Sequence, residues 1–207
     1  MRVIGLTGGI ASGKSTVARM LERFGAVIID ADLLSREVVA PGAPAYEAIV
    51  AAFGSGVVNP DRTLNRPELG RLVFADPGAR KRLENITHPA IARRAEERLA
   101  ECRMKSIPLV VYVAPLLIEA ARTSLVDEVW VVYADEATQL ERLMQRDGIG
   151  ADDARRRLAA QMPMDEKVTY GRVVIDNRGT ARELEQTVRE VWEREIGVKP
   201  VKGELKR

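Results

Sequence analysis

Apolar residues occur along this chain in two patterns, short unbroken runs and longer stretches with helical spacing. The unbroken runs predict five strands, at 2–6, 26–29, 109–113, 128–133 and 172–175. Strands that are apolar throughout are typical of a parallel sheet with helices on both faces. We therefore expect an α/β fold with three layers, a five-stranded parallel sheet and right-handed crossover connections.

The stretches between these runs have helical spacing, which predicts helices at 15–24, 136–146, 151–161 and 181–195. About seventy-five residues separate the second and third strands, far more than one crossover connection needs. This stretch predicts helices of its own, at 45–53, 66–75, 77–85 and 89–104. Pro89 falls in the first turn of the last one, where proline is tolerated. The chain therefore contains a helical insertion.

Composition and charge narrow the possible functions. Hydrophobic residues make up 46% of the 207 residues and charged residues 30%, as in ordinary globular proteins. The formal net charge is +2, without the basic excess that nucleic-acid binding requires. No apolar run approaches the ~18 residues of a membrane span, so we expect a cytoplasmic protein with neither nucleic acid nor membrane as partner. One cysteine and one histidine exclude a zinc site of several such ligands, and no signal for an oligomeric state is present.

The turn after the first strand has the spacing of a phosphate-binding loop. Gly8, Gly13, Lys14 and Ser15 match G-x-x-x-x-G-K-[ST] between a strand and a helix, the context that this motif requires. Backbone N–H groups of such a loop face anionic oxygens, so we expect it to bind ATP. Lys14 would neutralise the β- and γ-phosphates, and Ser15 would ligate Mg²⁺. The expected nucleotide-binding residues are Gly8, Gly9, Ile10, Ala11, Ser12, Gly13, Lys14, Ser15 and Thr16.

Further candidates lie where the other strands end, because ligands of parallel α/β sheets bind at the carboxyl ends of the strands. These candidates are Thr7, Pro115, Leu116 and Glu119 for an acceptor and Asn177 for the nucleotide. The third strand lacks the terminal aspartate of the usual magnesium-binding motif, and no N-K-x-D string for guanine is present. Both observations disfavour a GTPase.

Asp32 and Arg36 have two interpretations. If Asp30 caps a helix beginning at Ala31, the two side chains lie four residues apart on one helical face. They are then either a surface ion pair, or an acceptor site in which Asp32 orients a hydroxyl proton and Arg36 binds a phosphate. In a loose transition state the proton leaves late, so a weak base is sufficient.

Arginines are concentrated in the two helices predicted after the fourth strand. A kinase has to exclude water from the γ-phosphate, and mobile arginines can cover the nucleotide. We expect these helices to form a lid, with Arg142 contacting the nucleotide and Arg157 the acceptor. His88, directly before Pro89, either caps a helix or contacts the acceptor.

Six short motifs in fixed order resemble the dephospho-CoA kinase family. They are T-G-G-I-A-S-G-K-S-T at 7–16, D-A-D-x-x-x-R at 30–36, H-P at 88–89, P-L-L-I-E at 115–119, A-x-x-R-x-x-x-Q at 154–161 and V-I-D-N at 174–177. The resemblance covers the chain as far as Trp192. It implies a nucleoside-kinase-like P-loop fold in which ATP phosphorylates the 3′-hydroxyl of dephospho-CoA, the last step of coenzyme A synthesis.

The resemblance also implies roles for individual parts of the chain. Asp32 matches the catalytic acid of the family, alongside Lys14 of the loop. The nucleotide-binding core comprises 1–40, 108–135 and 168–196. The acceptor-binding insertion is 41–107, the lid is 136–167, and 197–207 is a flexible tail. The chain departs from the family's usual residues at Ile118, where Phe or Val is common, and at Gly171-Arg172, where Ala-Asp is common.

Three functions stay open on the residues alone. The first is dephospho-CoA kinase, and the second is a kinase of the same fold acting on a nucleoside monophosphate or another small alcohol. The third is a switch module that changes shape with ATP but transfers no phosphate. The lid and the missing strand-end aspartate argue against the third.

Overall fold

The computed structural model describes residues 1–197, so the predicted tail at 197–207 lies outside the described residues apart from Gly197. Its strands are β1 (Arg2–Thr7), β2 (Val27–Asp30), β3 (Leu109–Val113), β4 (Glu128–Tyr133) and β5 (Val173–Asp176). They form one sheet in the order β2-β3-β1-β4-β5, and β1 pairs in parallel with both β3 and β4. The predicted five-stranded parallel sheet of an α/β fold is confirmed.

Nine α-helices accompany the sheet within residues 1–197. They are α1 (Lys14–Arg23), α2 (Ala31–Glu37), α3 (Pro44–Phe53), α4 (Arg66–Ala75), α5 (Pro77–Met104), α6 (Glu136–Asp147), α7 (Ala151–Ala159), α8 (Met164–Lys167) and α9 (Ala181–Ile196). Asp30 caps α2 as predicted, because its Oδ1 accepts the N–H of Asp32 at 2.8 Å. None of these helices is long and apolar enough to cross a membrane.

The prediction of two helices at 77–85 and 89–104 is wrong, because α5 continues through both. Pro89 lacks an N–H and crowds the carbonyl four residues earlier, so proline normally marks a helix boundary. Here helical bonds on either side outweigh one missing donor, and the hydroxyl of Thr87 also bonds the carbonyl of Leu83 at 2.9 Å. His88 therefore lies inside a helix with an exposed side chain, and its predicted capping role is wrong.

The chain divides into two compact units, and the first contains 1–29 and the described residues from Cys102 onwards. Its core lies between the sheet and helices α1 and α9. Leu21 of α1 and Ile4 and Trp130 of the sheet are completely buried there. Trp192 of α9 meets Phe24 edge-on, with ring centroids 5.6 Å apart. This core holds β1 and α1 in place on either side of the predicted loop.

The second unit, residues 30–101, is helical and has an apolar core of its own. Ile49 of α3 and Val57 are completely buried in it, and Leu69 of α4 packs with them. Ile86 and Ala90 of α5 add partly buried apolar surface. That this unit binds an acceptor stays a prediction.

Arg172 lies directly before β5, at the edge of the sheet where the strands begin. Its guanidinium contacts Glu128 at the start of β4 and Glu195 of α9, the latter at 2.7 Å. Arg2 at the start of β1 binds the same Glu128 at 2.6 Å, and the indole of Trp130 donates to it at 3.0 Å. The Asp-to-Arg departure from the family's usual residue therefore joins elements at the edge opposite the strand ends.

Candidate active site

The loop from Gly8 to Gly13 joins β1 to α1 and needs glycine at both ends. A Cβ atom at Gly8 would lie 2.5 Å from the backbone oxygen of Val132. Gly13 has a φ of 94°, and a Cβ there would lie 2.1 Å from the amide nitrogen of Asn177. Because neither position has room for a side chain, the two glycines of the motif are required by packing as well as by phosphate binding.

Polar side chains hold the backbone of this loop. The ammonium group of Lys14 donates to the carbonyls of Gly8 and Gly9, both at 2.8 Å. Asn177, buried at the end of β5, donates from Nδ2 to the carbonyl of Ser12 at 2.7 Å. The structure therefore brings Asn177 to the loop, in a supporting position. Its direct contact with nucleotide stays a prediction.

A cleft of about 420 Å³ opens beside the loop, and none of its described lining residues is acidic. It is lined by Ala11, Gly13, Lys14, Ser15, Thr16, Arg142, Gln145 and Arg146. Arg142 Nη1 is buried and makes no hydrogen bond within the described protein, and the same holds for Ser12 Oγ. A buried guanidinium nitrogen without a partner is costly. Phosphate oxygens would satisfy it, so the cleft fits a polyanion such as a nucleoside triphosphate.

The other arginines of 136–167 are engaged with carboxylates. Arg157 donates to Asp147 Oδ2 at 2.7 Å, and Arg146 bonds the same carboxylate at 2.7 Å. The hydrogen bond from Arg146, with a further effect of Arg157, lowers the pKa of Asp147 below its usual range. Arg155 and Arg156 pair with acidic residues of their own helix and are exposed. Acceptor binding by Arg157 stays a prediction.

An ion pair with one fully buried partner lies beyond the end of β3. Lys167 of α8, whose side chain is fully buried, donates to Glu119 Oε1 at 2.7 Å and to the carbonyl of Pro115 at 3.0 Å. The hydroxyl of Thr7 also donates to the Pro115 carbonyl, at 3.2 Å. Three predicted acceptor residues, Thr7, Pro115 and Glu119, therefore lie together. The fourth residue of this part of the predicted set, Leu116, is 47% exposed.

Sequence reasoning missed Lys167, Gln139 and Gln161 as parts of this site. Lys167 follows two acidic residues and resembles an ordinary surface lysine in the sequence. Gln139 is 3% exposed and donates to the carbonyl of Ile10, and Gln161 accepts the N–H of Ile10. Gln161 belongs to a motif quoted above, but spacing alone assigned it no role.

In the helical unit, Asp32 and Arg36 are exposed on α2. Glu37, at the end of the same helix, pairs with Arg94 at 3.1 Å and Arg98 at 3.4 Å. The hydrogen bond from Arg94, assisted by the charge of Arg98, lowers the pKa of Glu37. A cavity of about 480 Å³ within this unit has mostly apolar lining from α3 and α5, with three charged residues: Arg93, Arg94 and Glu97.

Comparison with known proteins identifies the family. A family model described as dephospho-CoA kinase matches residues 2–183. A dephospho-CoA kinase of Geobacter metallireducens is 64% identical over 200 residues, covering 97% of this chain and 100% of that protein. The crystal structure of TT1252 from Thermus thermophilus has a TM-score of 0.80 at 33% identity, covering 94% of this chain and 97% of that one. The structure of dephospho-CoA kinase from Campylobacter jejuni has a TM-score of 0.72 at 28% identity, covering 95% of this chain and 99% of that one. This chain belongs to the dephospho-CoA kinase family of ATP-dependent kinases.

Proposed function

We propose that this chain transfers the γ-phosphoryl group of ATP to the 3′-hydroxyl of dephospho-CoA, giving coenzyme A and ADP. The observation that carries the donor half is the cleft beside the loop, which is lined by Lys14, Arg142 and Arg146 and by no acidic residue among those described. The acceptor half is supported by the family match over 2–183.

On the donor side, the backbone of the loop and the start of α1 would surround the phosphates. Lys14 would move from the carbonyls of Gly8 and Gly9 to the β- and γ-phosphates, and Arg142 would complete its hydrogen bonds on phosphate oxygens. Both cations would offset charge that develops on the transferred group.

Magnesium is the expected metal of this reaction. No group of three or more His, Cys, Asp and Glu residues that could hold a metal occurs within residues 1–197. Magnesium commonly keeps several waters and binds through phosphates with few protein ligands, so the hydroxyl of Ser15 fits it. When bound, the ion neutralises phosphate charge.

On the acceptor side, Asp32 would accept a hydrogen bond from the 3′-hydroxyl and receive its proton as the new P–O bond forms and ADP leaves. Its side chain is exposed on α2. Arg36 would bind an acceptor phosphate, and the mostly apolar cavity at α3 and α5 would suit the pantetheine arm. Thr7, His88, Pro115, Leu116, Glu119 and Arg157 complete the proposed acceptor set.

An acceptor panel tests this proposal. ADP release is measured with ATP, magnesium and one acceptor at a time: dephospho-CoA, its 3′-deoxy analogue, AMP, CMP and shikimate. We expect turnover with dephospho-CoA and none with the 3′-deoxy analogue, which lacks the nucleophile. Equal turnover with AMP, CMP or shikimate would overturn the acceptor assignment, and ATP binding without ADP release for any acceptor would favour the switch module.

A further inference from the structure

Two glutamines bind opposite sides of one residue in the phosphate-binding loop. The N–H of Ile10 donates to Gln161 Oε1 at 2.7 Å, and Gln139 Nε2 donates to the carbonyl of Ile10 at 2.7 Å. A backbone N–H only donates and a carbonyl only accepts, so the partners fix which end of each side-chain amide faces the loop. We call Gln139 and Gln161 the glutamine pair.

The glutamine pair comes from the predicted lid segment. Gln139 lies on α6, and Gln161 follows the end of α7. The same segment supplies Met164, whose sulfur accepts the N–H of Gly9 at 3.1 Å. Three hydrogen-bonding groups of the loop, the N–H of Gly9 and the N–H and carbonyl of Ile10, are therefore bound by residues from 139 to 164.

The residue after Ile10 shows why this support matters. Ala11 has a φ of 57°, in the left-handed region. A non-glycine residue there costs roughly 1 to 2 kcal/mol and persists only where its surroundings hold it. The carbonyl that Gln139 binds belongs to the Ile10–Ala11 peptide, whose orientation defines the φ of Ala11. Gln139 therefore stabilises the strained step of the loop.

The glutamine pair does not line the cationic cleft. That cleft is formed by Ala11, residues 13–16 and side chains of α6. Gly9, Gln139 and Gln161 instead line a separate cavity of about 590 Å³. The pair therefore acts on the loop from a different side and would affect the phosphates only through the backbone.

We propose that Gln139 and Gln161 are positioning residues for phosphoryl transfer. They hold the Ile10 peptide so that the loop keeps its phosphate-binding shape, and they make that shape depend on the position of α6 and α7. A lid movement that shifts either glutamine would then change nucleotide affinity. This inference rests on the proposed function of the loop, and its test uses ADP binding, which needs no acceptor.

The same isosteric substitution at the two positions gives the sharpest test. Gln139→Glu places a carboxylate against the Ile10 carbonyl, so two acceptors face each other and the bond is lost. Gln161→Glu keeps an oxygen that accepts the Ile10 N–H. Both variants add one negative charge beside the loop, so each serves as the charge control for the other.

We expect Gln139→Glu to weaken ADP binding, measured by calorimetric titration, about tenfold more than Gln161→Glu does. Gln161→Leu, which removes the acceptor without adding charge, should weaken it about tenfold relative to the starting protein. The KM for ATP should rise in parallel, while the KM for dephospho-CoA stays within about twofold. If Gln139→Glu does not fold, Gln139→Met replaces it with the same expected direction.

A rescue experiment tests the link to Ala11. Glycine adopts positive φ without strain, so Gln139→Glu should weaken ADP binding less in an Ala11→Gly background than in the original chain. Equal effects of Gln139→Glu and Gln161→Glu would overturn the proposal. A lower kcat with unchanged ADP affinity and unchanged KM values would also overturn it, because that pattern indicates only fewer folded molecules. A failed acceptor panel with the expected ADP affinities would instead contradict the proposed acceptor.

Discussion

The phosphate-binding loop and the helical unit at 30–101 are built in different ways. Backbone groups of the loop are bound by the side chains of four residues: Lys14, Gln139, Gln161 and Asn177. Two of these side chains, Gln139 and Asn177, are buried. The helical unit instead carries exposed ion pairs and a mostly apolar cavity on ordinary helices. Phosphate recognition by backbone requires fixed spacing, whereas recognition by side chains on helical faces does not. The donor half is therefore easier to recognise than the acceptor half.

The largest expected effect falls on the loop. Lys14→Ala removes the cation proposed for the β- and γ-phosphates, so kcat/KM should fall about 10³-fold, the upper end of the loss for one electrostatic stabiliser. Initial rates over a matrix of ATP and dephospho-CoA concentrations measure this. Thermal unfolding controls for folding, and an unchanged kcat/KM would remove Lys14 from the mechanism.

Asp32→Asn tests the helical unit in the same assay. It keeps the size of the side chain but loses the proton acceptor, so kcat should fall about 10²-fold, at the low end for acid–base groups because orientation survives. ADP affinity should stay near normal, since the proposed role concerns the acceptor alone. Near-normal turnover would mean that Asp32 has no catalytic role. Weaker ADP binding would contradict the division between donor and acceptor roles.

The ion pair of Lys167 and Glu119 should affect stability more than chemistry. Glu119→Gln leaves a fully buried ammonium without its carboxylate and should cost about 3 kcal/mol of unfolding free energy. Lys167→Met leaves a carboxylate whose side chain is 23% exposed and can be hydrated, so it should cost less, about 2 kcal/mol. Urea unfolding of both variants checks the order, and a larger loss for Lys167→Met would contradict it.

The smallest effect is expected at Glu37. Its folded pKa is lowered, chiefly by Arg94, so its contribution to stability is present above the unfolded pKa and lost as the pH falls through the folded value. Glu37→Gln should cost less than about 1 kcal/mol at pH 7, because exposed ion pairs contribute little. Urea unfolding over a series of pH values below 7 should show the difference from the original chain shrinking as the pH falls. A difference that does not change with pH would mean that Glu37 acts through packing.

The sequence was sufficient for the sheet, the loop and the cap at Asp30, because each depends on local patterns of apolar runs, glycines and short polar side chains. It failed at Pro89, where the preference of one residue was outweighed by the helix around it. It also missed Lys167 and Gln139, which come from distant segments and meet their partners only in the folded chain. Single polar residues of this kind add no periodic pattern to the sequence, so only the folded structure shows that they are buried.

The two ends of the sheet are constrained in different ways. Where the strands begin lies a cluster of charged residues: Arg2, Glu128, Arg172 and Glu195. At the end of the sheet where the strands begin, charged residues can be replaced as long as opposite charges still meet. Such a replacement should leave kcat unchanged. Residues at the carboxyl ends of the strands, where the candidate site lies, cannot be replaced in this way. Substitution of Arg172 should therefore change the free energy of unfolding while kcat stays the same.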